Sequence, residues 1–326
     1  MRKTIFSGIQ PSGQLHIGNY FGALKKWVEF QNSYQCIFGI VDLHALTEGP
    51  NPKTFKQKIL DTAVEYLAAG LDPKKCILMI QSYVPEHAEL AWIFNCITPI
   101  SKLERVPTFK DKTLQFKNNL NMGLLDYPVL MAADILIYKA DAVPVGEDQL
   151  PHLELAREIA RTFNTKFGQT FPEPKETLGE GARIMGLDNP DKKMSKSLGT
   201  KNYIALADSP ETIKSKLASA VTDIGNDSKE PKRPGVANLF TLLKLFSDKK
   251  LAKFEKDYQA KKIKYSEVKQ VLAKDIANHF KKFRQERERL AKDPNRVWEK
   301  LEEGSKKAQK IAQKTLQEVK EKVGLR

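Results

Sequence analysis

A glycine-bearing turn near the start of the sequence has the composition of a phosphate-binding site. It belongs to QPSGQLHIGNY, residues 10–20, which leads into a stretch with helical spacing. A helix begins with free backbone N–H groups and the positive end of its dipole, so a turn of this kind binds anions. His16 and Asn19 add side-chain donors at the same point. Alone, the pattern also fits a tight turn in which the two side chains only cap the helix.

A second basic segment lies far downstream. In DKKMSKSLG, residues 191–199, Lys193 and Lys196 stand on either side of the small polar Ser195. A lysine carries its charge on a flexible arm, which suits a phosphate group that moves during a reaction. Three nearby lysines on their own favour an exposed basic loop, so this segment gains its weight only together with the first.

One carboxylate stands in an apolar stretch. All residues of VLMAADILIY are apolar or aromatic except Asp134, and a carboxylate in such surroundings is costly unless a partner compensates it. Pro128 suits the first turn of a helix. Tyr127, Met131 and Asp134 then fall at i, i+4 and i+7, on one helical face or at its start. From these residues alone, we favour an aspartate that is held by a neighbouring lysine or faces water.

The first hundred residues alternate between strand and helix patterns. TIFSGI, CIFGIV and CILMIQ are short apolar runs of strand length, and stretches with helical spacing separate them. Such alternation predicts βαβ units and a parallel sheet, that is, an α/β fold. In an open parallel sheet, ligands bind beyond the carboxyl ends of the strands. The turn after TIFSGI lies at such an end.

The later part of the chain follows other patterns. A polar, lysine-rich stretch breaks the rhythm, and we place an insertion at about residues 98–140. After GNDSKEPKRPG the apolar residues keep helical spacing to the end. We therefore predict an α/β domain over residues 1–192, a loop at 193–199 and an all-α domain over 200–326.

The charge is concentrated in this helical part. The net charge is +14, and residues 241–326 hold 25 Lys and Arg against 13 Asp and Glu, a balance of +12. Residues 1–240 hold the remaining 29 against 27, a balance of +2. The asymmetry indicates a polyanionic partner, in the first place a nucleic acid. A solvated lysine-rich surface is the alternative, and charge alone does not decide between them.

Composition narrows the compartment. No apolar run approaches the ~18 residues of a membrane helix, and the N-terminus has no apolar segment of the secretory type. Cys36, Cys76 and Cys96 lack metal-ligand spacing, so we expect free buried thiols in a reducing cytoplasm.

The two basic segments together resemble the signatures of class I aminoacyl-tRNA synthetases. HIGN at 16–19 is similar to their HIGH motif, with Asn19 in place of the last histidine, and KMSKS at 193–197 matches their second motif without change. The order and the wide separation also fit. Asparagine still offers a hydrogen-bond donor, so we expect the first motif to function.

Further segments resemble the bacterial tryptophanyl-tRNA synthetases, over most of the chain except its last ~80 residues. They are IFSGIQPSG, GNYFGAL, VDLHALT, YPVLMAADILIY, VPVGEDQ and GARIM. The resemblance implies a Rossmann-like catalytic domain, a signature loop and an all-α anticodon-binding domain. It also implies activation of L-tryptophan with ATP to tryptophanyl-adenylate and transfer to tRNA(Trp), with Mg²⁺ entering with ATP and no protein-built metal site. A cytoplasmic homodimer is expected on the same ground.

The resemblance assigns roles to individual residues. Tyr127 meets the α-ammonium group, Met131 packs on the indole ring, and Asp134 accepts the indole N–H. Gln149 contacts the amino-acid head group, and His44 flanks the indole. The residues assigned to stabilising the pyrophosphate charge are His16, Asn19, Lys193, Ser195 and Lys196. The residues assigned to ATP are Gln10, Pro11, Ser12, Gly18, Asn19, Gly146, Glu147, Asp148, Ile184, Lys193, Met194, Ser195, Lys196 and Ser197.

Three other functions stay open at this point. One is a tyrosine-specific relative of the same architecture. Another is a non-catalytic paralogue that only binds RNA, against which the intact KMSKS stands. The third is a small adenylyltransferase of related fold, but such an enzyme needs no long basic helical domain.

Overall fold

A computed structural model of the protein describes residues 2–11, 13–107, 120–146, 149–178, 183–222 and 232–325. Ser12, Glu147 and Asp148, which the resemblance assigns to ATP, lie outside these ranges. Contacts divide the chain into two compact units, and neither is continuous in sequence. The first unit comprises residues 1–13, 25–179 and 290–326, and the second comprises 14–24 and 180–289.

The first unit is built on a five-stranded sheet. Its strands are β1 (Thr4–Ile9), β2 (Gln35–Ile40), β3 (Ile77–Ile80), β4 (Ala142–Val145) and β5 (Lys175–Leu178), in the spatial order β3-β2-β1-β4-β5. Every neighbouring pair is parallel. The carboxyl ends of all five strands therefore lie at one edge of the sheet. The predicted Rossmann-like α/β fold is confirmed, and β5 is a strand that the apolar runs did not indicate.

Helices make up most of the rest of the described chain. In chain order they are α1 (Ile17–Asn19), α2 (Lys25–Phe30), α3 (Asp42–Leu46), α4 (Pro52–Ala68), α5 (Glu86–Asn95), α6 (Ile100–Glu104), α7 (Met122–Leu136), α8 (Leu150–Phe167), α9 (Pro210–Ala218), α10 (Pro234–Phe246), α11 (Asp248–Gln259), α12 (Tyr265–His279), α13 (Lys281–Ala291) and α14 (Pro294–Val323). A π-helical turn at Tyr20–Leu24 joins α1 to α2, and short 3₁₀ turns occur at Gln81–Tyr83 and Lys196–Leu198. None of these helices is long and apolar enough to cross a membrane.

The helix α7 carries the three residues of the predicted face. It begins at Met122, where the side-chain oxygen of Asn121 accepts the backbone N–H of Leu124 at 3.2 Å. The prediction that Pro128 opens this helix is wrong, because Pro128 lies inside it. The asparagine cap supplies the start signal instead. Tyr127, Met131 and Asp134 do share the one helix, as the register predicted.

The last helix, α14, belongs to the first unit and packs on β3, α4 and α5. Its buried stripe joins the core below the sheet and includes Ala308, Ala312, Leu316 and Val319. Ser305 accepts the backbone N–H of Ile80 with its hydroxyl at 3.1 Å. Gly304 lies so close to β3 that a Cβ there would be 1.8 Å from the carbonyl oxygen of Leu78. The contacts thus divide the chain differently from the sequential domains that the sequence predicts.

The second unit holds α9 to α12 in a bundle around apolar side chains at the predicted helical spacing. Leu239, Leu242, Leu243, Val268, Leu272 and Ile276 are all buried there. Among the cysteines, Cys36 and Cys76 are buried thiols, and burial raises the pKa of each to about 12. The expectation of a buried thiol is wrong for Cys96, which is exposed.

Because β3 and α14 meet at Gly304, we expect Gly304→Ala to destabilise the fold by ~1–3 kcal/mol or more through forced displacement of the strand or the helix. The matched control is Gly22→Ala, at an exposed helical position with no atom within 4 Å of its added methyl. That change should be neutral or stabilising by up to ~1 kcal/mol. Urea unfolding of both variants measures the difference, and equal effects would contradict the close packing of α14 on β3.

Candidate functional site

Asp134 is buried, with 1% of its surface exposed, and its carboxylate is surrounded by hydrogen-bond donors. Its Oδ1 accepts from His87 Nδ1 at 2.6 Å and from Gln81 Nε2 at 2.7 Å. Its Oδ2 accepts from His44 Nε2 at 2.8 Å and from Gln81 Nε2 at 2.9 Å. The lysine alternative is excluded, because the nearby Lys139 pairs with Glu318 at 2.7 Å.

The donors come from the carboxyl ends of two adjacent strands. His44 follows β2 in the short helix α3, Gln81 directly follows β3, and His87 stands in the first turn of α5. The side-chain oxygen of Gln81 accepts the backbone N–H groups of Leu43 and His44 at 3.1 and 3.4 Å. These two bonds to the oxygen fix the orientation of the amide, so that its NH₂ group faces Asp134.

These donors keep the carboxylate ionised. Burial by itself raises the pKa of Asp134, but the attraction of His87 and the hydrogen bonds from His44 and His87 outweigh it and lower the pKa to about 2. A fully buried negative charge is thereby held at the edge of the sheet where ligands bind. Such a group accepts a hydrogen bond from a ligand N–H, and its position is set by the protein alone.

Two of the other residues predicted around the amino acid, Tyr127 and Met131, lie on α7 together with Asp134. The Tyr127 ring lies 6.3 Å from the His44 ring, centre to centre. The Tyr127 hydroxyl is hydrogen-bonded to Nε2 of the buried His152 at 2.6 Å. Met131, one turn before Asp134, is partly buried against the core. Gln149 precedes α8, the helix that carries His152, and its backbone N–H bonds the carbonyl of Gly146 at 3.0 Å.

Four residues of this cluster were not predicted. Gln81, His87, Tyr138 and His152 are buried polar side chains in or beside apolar sequence. The signal for Gln81 was its place as the last residue of the predicted strand CILMIQ, at a carboxyl end. His87 and His152 lie near helix starts, where polar residues are common, so neither pattern distinguishes a site residue from a helix-start residue.

Both signature segments belong to the second unit. The side-chain oxygen of Asn19 accepts the backbone N–H of His16 at 3.1 Å, so Asn19 caps its helix while its NH₂ group remains a donor. Among the described residues, Nδ1 of the buried His16 has no hydrogen-bond partner. A Cβ on Gly18 would approach the His16 ring to 2.9 Å, so this position favours glycine, which has no side chain. The capping alternative therefore accounts for Asn19, while Nδ1 of His16 remains without a hydrogen-bond partner among the described residues.

The segment around KMSKS is tied to the chain that precedes and follows it. The backbone N–H of Met194 bonds the carbonyl of Ile184 at 3.0 Å, and both side chains are buried. The backbone N–H of Ser195 bonds the side chain of the buried Asn202 at 2.9 Å. Nζ of Lys196 donates to the carbonyl of Gln14 at 3.0 Å, which connects the two signatures. Ser195 and Ser197 are hydrogen-bonded through their hydroxyls at 2.9 Å.

The lysines act on His16 electrostatically. Burial, followed by the charges of Lys196 and Lys193, lowers the pKa of His16 from 6.5 to about 4. The ring is therefore neutral at neutral pH, and an imidazole N–H beside two ammonium groups forms a donor set for a polyanion. Of the remaining residues assigned to ATP, Pro11 is buried, Gln10 is half-buried and Gly146 is exposed.

Comparisons with known proteins identify relatives over the whole chain. Residues 2–281 match the family described as tRNA synthetases class I (W and Y). The sequence is 46% identical to the tryptophan–tRNA ligase of Clostridium tetani, over 99% of this chain and 96% of that protein. The tryptophanyl-tRNA synthetase of Campylobacter jejuni, solved with ADP and tryptophan, superposes with a TM-score of 0.86 at 38% identity, covering 99% and 100% of the two chains. The enzyme of Mycoplasma pneumoniae gives 0.87 at 34% identity, covering 100% and 99%.

The lowered pKa of His16 predicts a pH dependence of stability. Between pH 6.5 and about 4, the His16 ring binds a proton in the unfolded chain but stays neutral in the native state. The free energy of unfolding therefore decreases as the pH falls through this window. In His16→Phe, the decrease in the free energy of unfolding from pH 7 to pH 4 should be smaller by ~3 kcal/mol, because the titrating ring is absent. Unfolding at pH 7 and pH 4 measures it for both proteins.

The same pKa can be followed directly by NMR titration of the His16 ring. We expect a midpoint near pH 4 that rises in Lys196→Met, because this variant removes one of the two nearby positive charges. A midpoint near 6.5 in the unaltered protein would contradict the burial and charge assigned to this ring.

Proposed function

This chain belongs to the class I tRNA synthetases for tryptophan and tyrosine, and from that premise we propose that it is a tryptophan–tRNA ligase. The observation that carries the choice is a fully buried, ionised carboxylate at Asp134, beside Tyr127 on the ligand edge of the sheet. The similarity to tryptophan–tRNA ligases over nearly the full length supports the same choice. ATP, L-tryptophan and tRNA are its substrates.

The reaction proceeds in two displacements. A carboxylate oxygen of tryptophan attacks the α-phosphorus of ATP, the bond from that phosphorus to the β-phosphate oxygen breaks, and pyrophosphate leaves. A hydroxyl of the 3′-terminal ribose of tRNA then attacks the adenylate carbonyl, and AMP leaves. Neither step needs a nucleophile from the protein. Alignment of the reactants and stabilisation of the developing charge carry the rate.

We assign charge stabilisation to the residues of the two signatures. His16 donates from a neutral ring, Lys193 and Lys196 supply positive charge, and Ser195 and Asn19 add neutral donors. Lys196 must exchange its bond to the Gln14 carbonyl for a phosphate oxygen. This exchange lets the lysine follow the pyrophosphate as it leaves. Magnesium enters as part of the Mg·ATP substrate.

We assign selection of the amino acid to Asp134. Tryptophan differs from a plain aromatic amino acid by one ring N–H, and a carboxylate is the acceptor that fits it. A site built to bond a substrate N–H rejects ligands without it by up to ~10⁴–10⁵. Tyr127 is assigned to the α-ammonium group and Gln149 to the amino-acid head group, with Met131 and His44 against the ring.

We propose that the basic helical segments bind tRNA and that two copies of the chain form the working enzyme in the cytoplasm. Residues 241–326 carry a balance of +12, which fits a phosphate backbone. The support for a dimer is a group of exposed apolar side chains on the neighbouring helices α5, α6 and α7. Trp92, Ile100 and Met122 are 69%, 66% and 72% exposed. Such exposure marks contact surfaces.

ATP–pyrophosphate exchange tests the function. Label exchange should depend on L-tryptophan and be at least ~10²-fold weaker with L-tyrosine. Asp134→Ala should lose most of this discrimination, because the N–H acceptor is gone, whereas Lys214→Ala, an exposed lysine on α9, should match the unaltered enzyme. Exchange that prefers tyrosine, or that needs no amino acid, would overturn the assignment.

The dimer predicts a molar mass of about twice that of the 36.9 kDa chain by light scattering. Trp92→Lys places a charge in the proposed interface, so we expect it to shift the protein to the monomer, whereas Lys214→Glu should not. A monomeric parent protein would reject the proposal.

A further inference from the structure

We propose that the donors around Asp134 divide into two fixed ones and one exchangeable one. Gln81 and His87 hold the carboxylate in place, and His44 surrenders its bond at Oδ2 when the indole N–H of tryptophan arrives. The inference rests on the proposed function, in which Asp134 accepts that N–H. His87 is thus a positioning residue, and His44 is the residue whose bond to Asp134 is replaced.

The carboxylate has no acceptor position to spare. A carboxylate offers about four lone-pair sites, two on each oxygen. Three donor atoms give each oxygen two contacts at 2.6 to 2.9 Å, because Nε2 of Gln81 is shared by both oxygens while His87 adds a contact at Oδ1 and His44 one at Oδ2. An indole N–H that approaches Asp134 must therefore replace a protein donor. Which donor yields depends on how firmly each is held at its other end.

Gln81 is held at both ends. It is fully buried, its NH₂ group serves both oxygens of Asp134, and its carbonyl accepts two backbone N–H groups at the start of α3. Withdrawal of this side chain would leave those backbone donors unpaired in the interior, at ~1–3 kcal/mol each. Gln81 therefore stays in place.

His87 is held in the same way. It is fully buried, and its second nitrogen, Nε2, is hydrogen-bonded to the Tyr138 hydroxyl at 2.7 Å. The Tyr138 ring is itself buried and stacks on Phe6 at 5.5 Å between ring centres. The chain Tyr138–His87–Asp134 thus runs from the core to the carboxylate and fixes the direction in which Oδ2 points.

His44 differs from both. Among the described residues, its ring forms a single hydrogen bond, the one to Oδ2 of Asp134. Its ring also lies beside Tyr127, the residue assigned to the amino group of the substrate. A rotation of this ring breaks one bond and disturbs no other polar contact of the ring. His44 is therefore the donor that the indole N–H can replace.

The exchange makes recognition of the N–H conditional. Tryptophan substitutes one N–H for another at Oδ2, so the hydrogen bonds balance. A ligand of the same shape without the N–H displaces His44 and leaves a buried charge with a missing donor, which weakens its binding by about 10- to 100-fold. Discrimination then depends on a carboxylate that cannot turn away, and His87 ensures this.

The test compares tryptophan with its benzothiophene analogue, in which sulfur replaces the ring N–H. We define the N–H ratio as the dissociation constant of the analogue divided by that of tryptophan, measured by calorimetry on the full-length protein. The unaltered protein should give about 10 to 100. Asp134→Ala should give a value near 1. If the unaltered protein also gives 1, Asp134 does not bind the indole, and the assignment in the proposed function fails.

The variants around Asp134 then test the division into fixed and exchangeable donors. His87→Leu should reduce the N–H ratio about tenfold, and His87→Asn, which keeps a donor at the Nδ1 position, should recover most of it. His44→Phe should leave the ratio unchanged and tighten the binding of both ligands, because neither ligand then has to break the bond from His44 to Oδ2. An unchanged ratio in His87→Leu, or weaker binding of both ligands in His44→Phe, would overturn the inference while leaving the role of Asp134 intact.

Tyr138→Phe has a matched control. It should lower the N–H ratio, because His87 loses its support, whereas Tyr66→Phe removes a buried hydroxyl with no hydrogen-bond partner among the described residues and should leave the ratio unchanged.

NMR provides a readout that does not depend on a variant folding. Addition of tryptophan should shift the ring ¹⁵N signals of His44 and leave those of His87 in place. Large shifts of the His87 signals, with those of His44 unchanged, would show that His87 is the histidine whose bond is replaced, and would reject the proposal.

Discussion

The compensation of one buried negative charge organises the ligand edge of the sheet. A carboxylate removed from water needs a partner for each of its lone pairs, or it takes up a proton. Asp134 meets this requirement with three donors from outside its own helix. His44 follows β2 in the chain, and Gln81 and His87 follow β3. Their positions cannot vary independently, because a shift in any of them would leave the charge under-compensated. The polar network therefore fixes the geometry of the pocket as firmly as the apolar core does.

The parallel sheet makes this convergence possible. Because all five strands run in one direction, the segments that follow β2 and β3 leave the sheet side by side. The helix α7 packs against α3 and α5, which carry His44 and His87. The last helix, α14, covers β3 from the far end of the chain, where only glycine and serine allow the backbones to approach. The site therefore depends on residues more than 150 positions apart in sequence.

The sequence predicted the elements whose signals are local. Strand-length apolar runs located β1 to β3, and the register of Tyr127, Met131 and Asp134 was right although the start of their helix was not. Of the three donors to Asp134, Gln81 stands at a predicted strand end and His87 near a helix start, but neither position indicates a bond to Asp134. Gln81 and His87 acquire their roles through a tertiary contact with α7. Likewise, the helical spacing of α14 was evident, but its place in the first unit depends on the fit of Gly304 to a strand.

The surroundings of Asp134 and those of His16 handle charge in opposite ways. Around Asp134, hydrogen-bond donors from His44, His87 and Gln81 surround a negative charge, and a pKa of about 2 keeps it ionised at every physiological pH. Around His16, two lysines lie near a buried ring that its pKa of about 4 keeps neutral. The ring therefore adds a neutral donor to the two positive charges and does not cancel them. In the first arrangement every acceptor position is occupied, so a ligand can bind the carboxylate only by replacing a protein donor. This requirement favours selectivity. The second keeps an excess of donors, which favours the phosphate group that gains charge during the reaction. In the function proposed above, the saturated carboxylate selects the amino acid, and the excess of donors around His16 serves its activation.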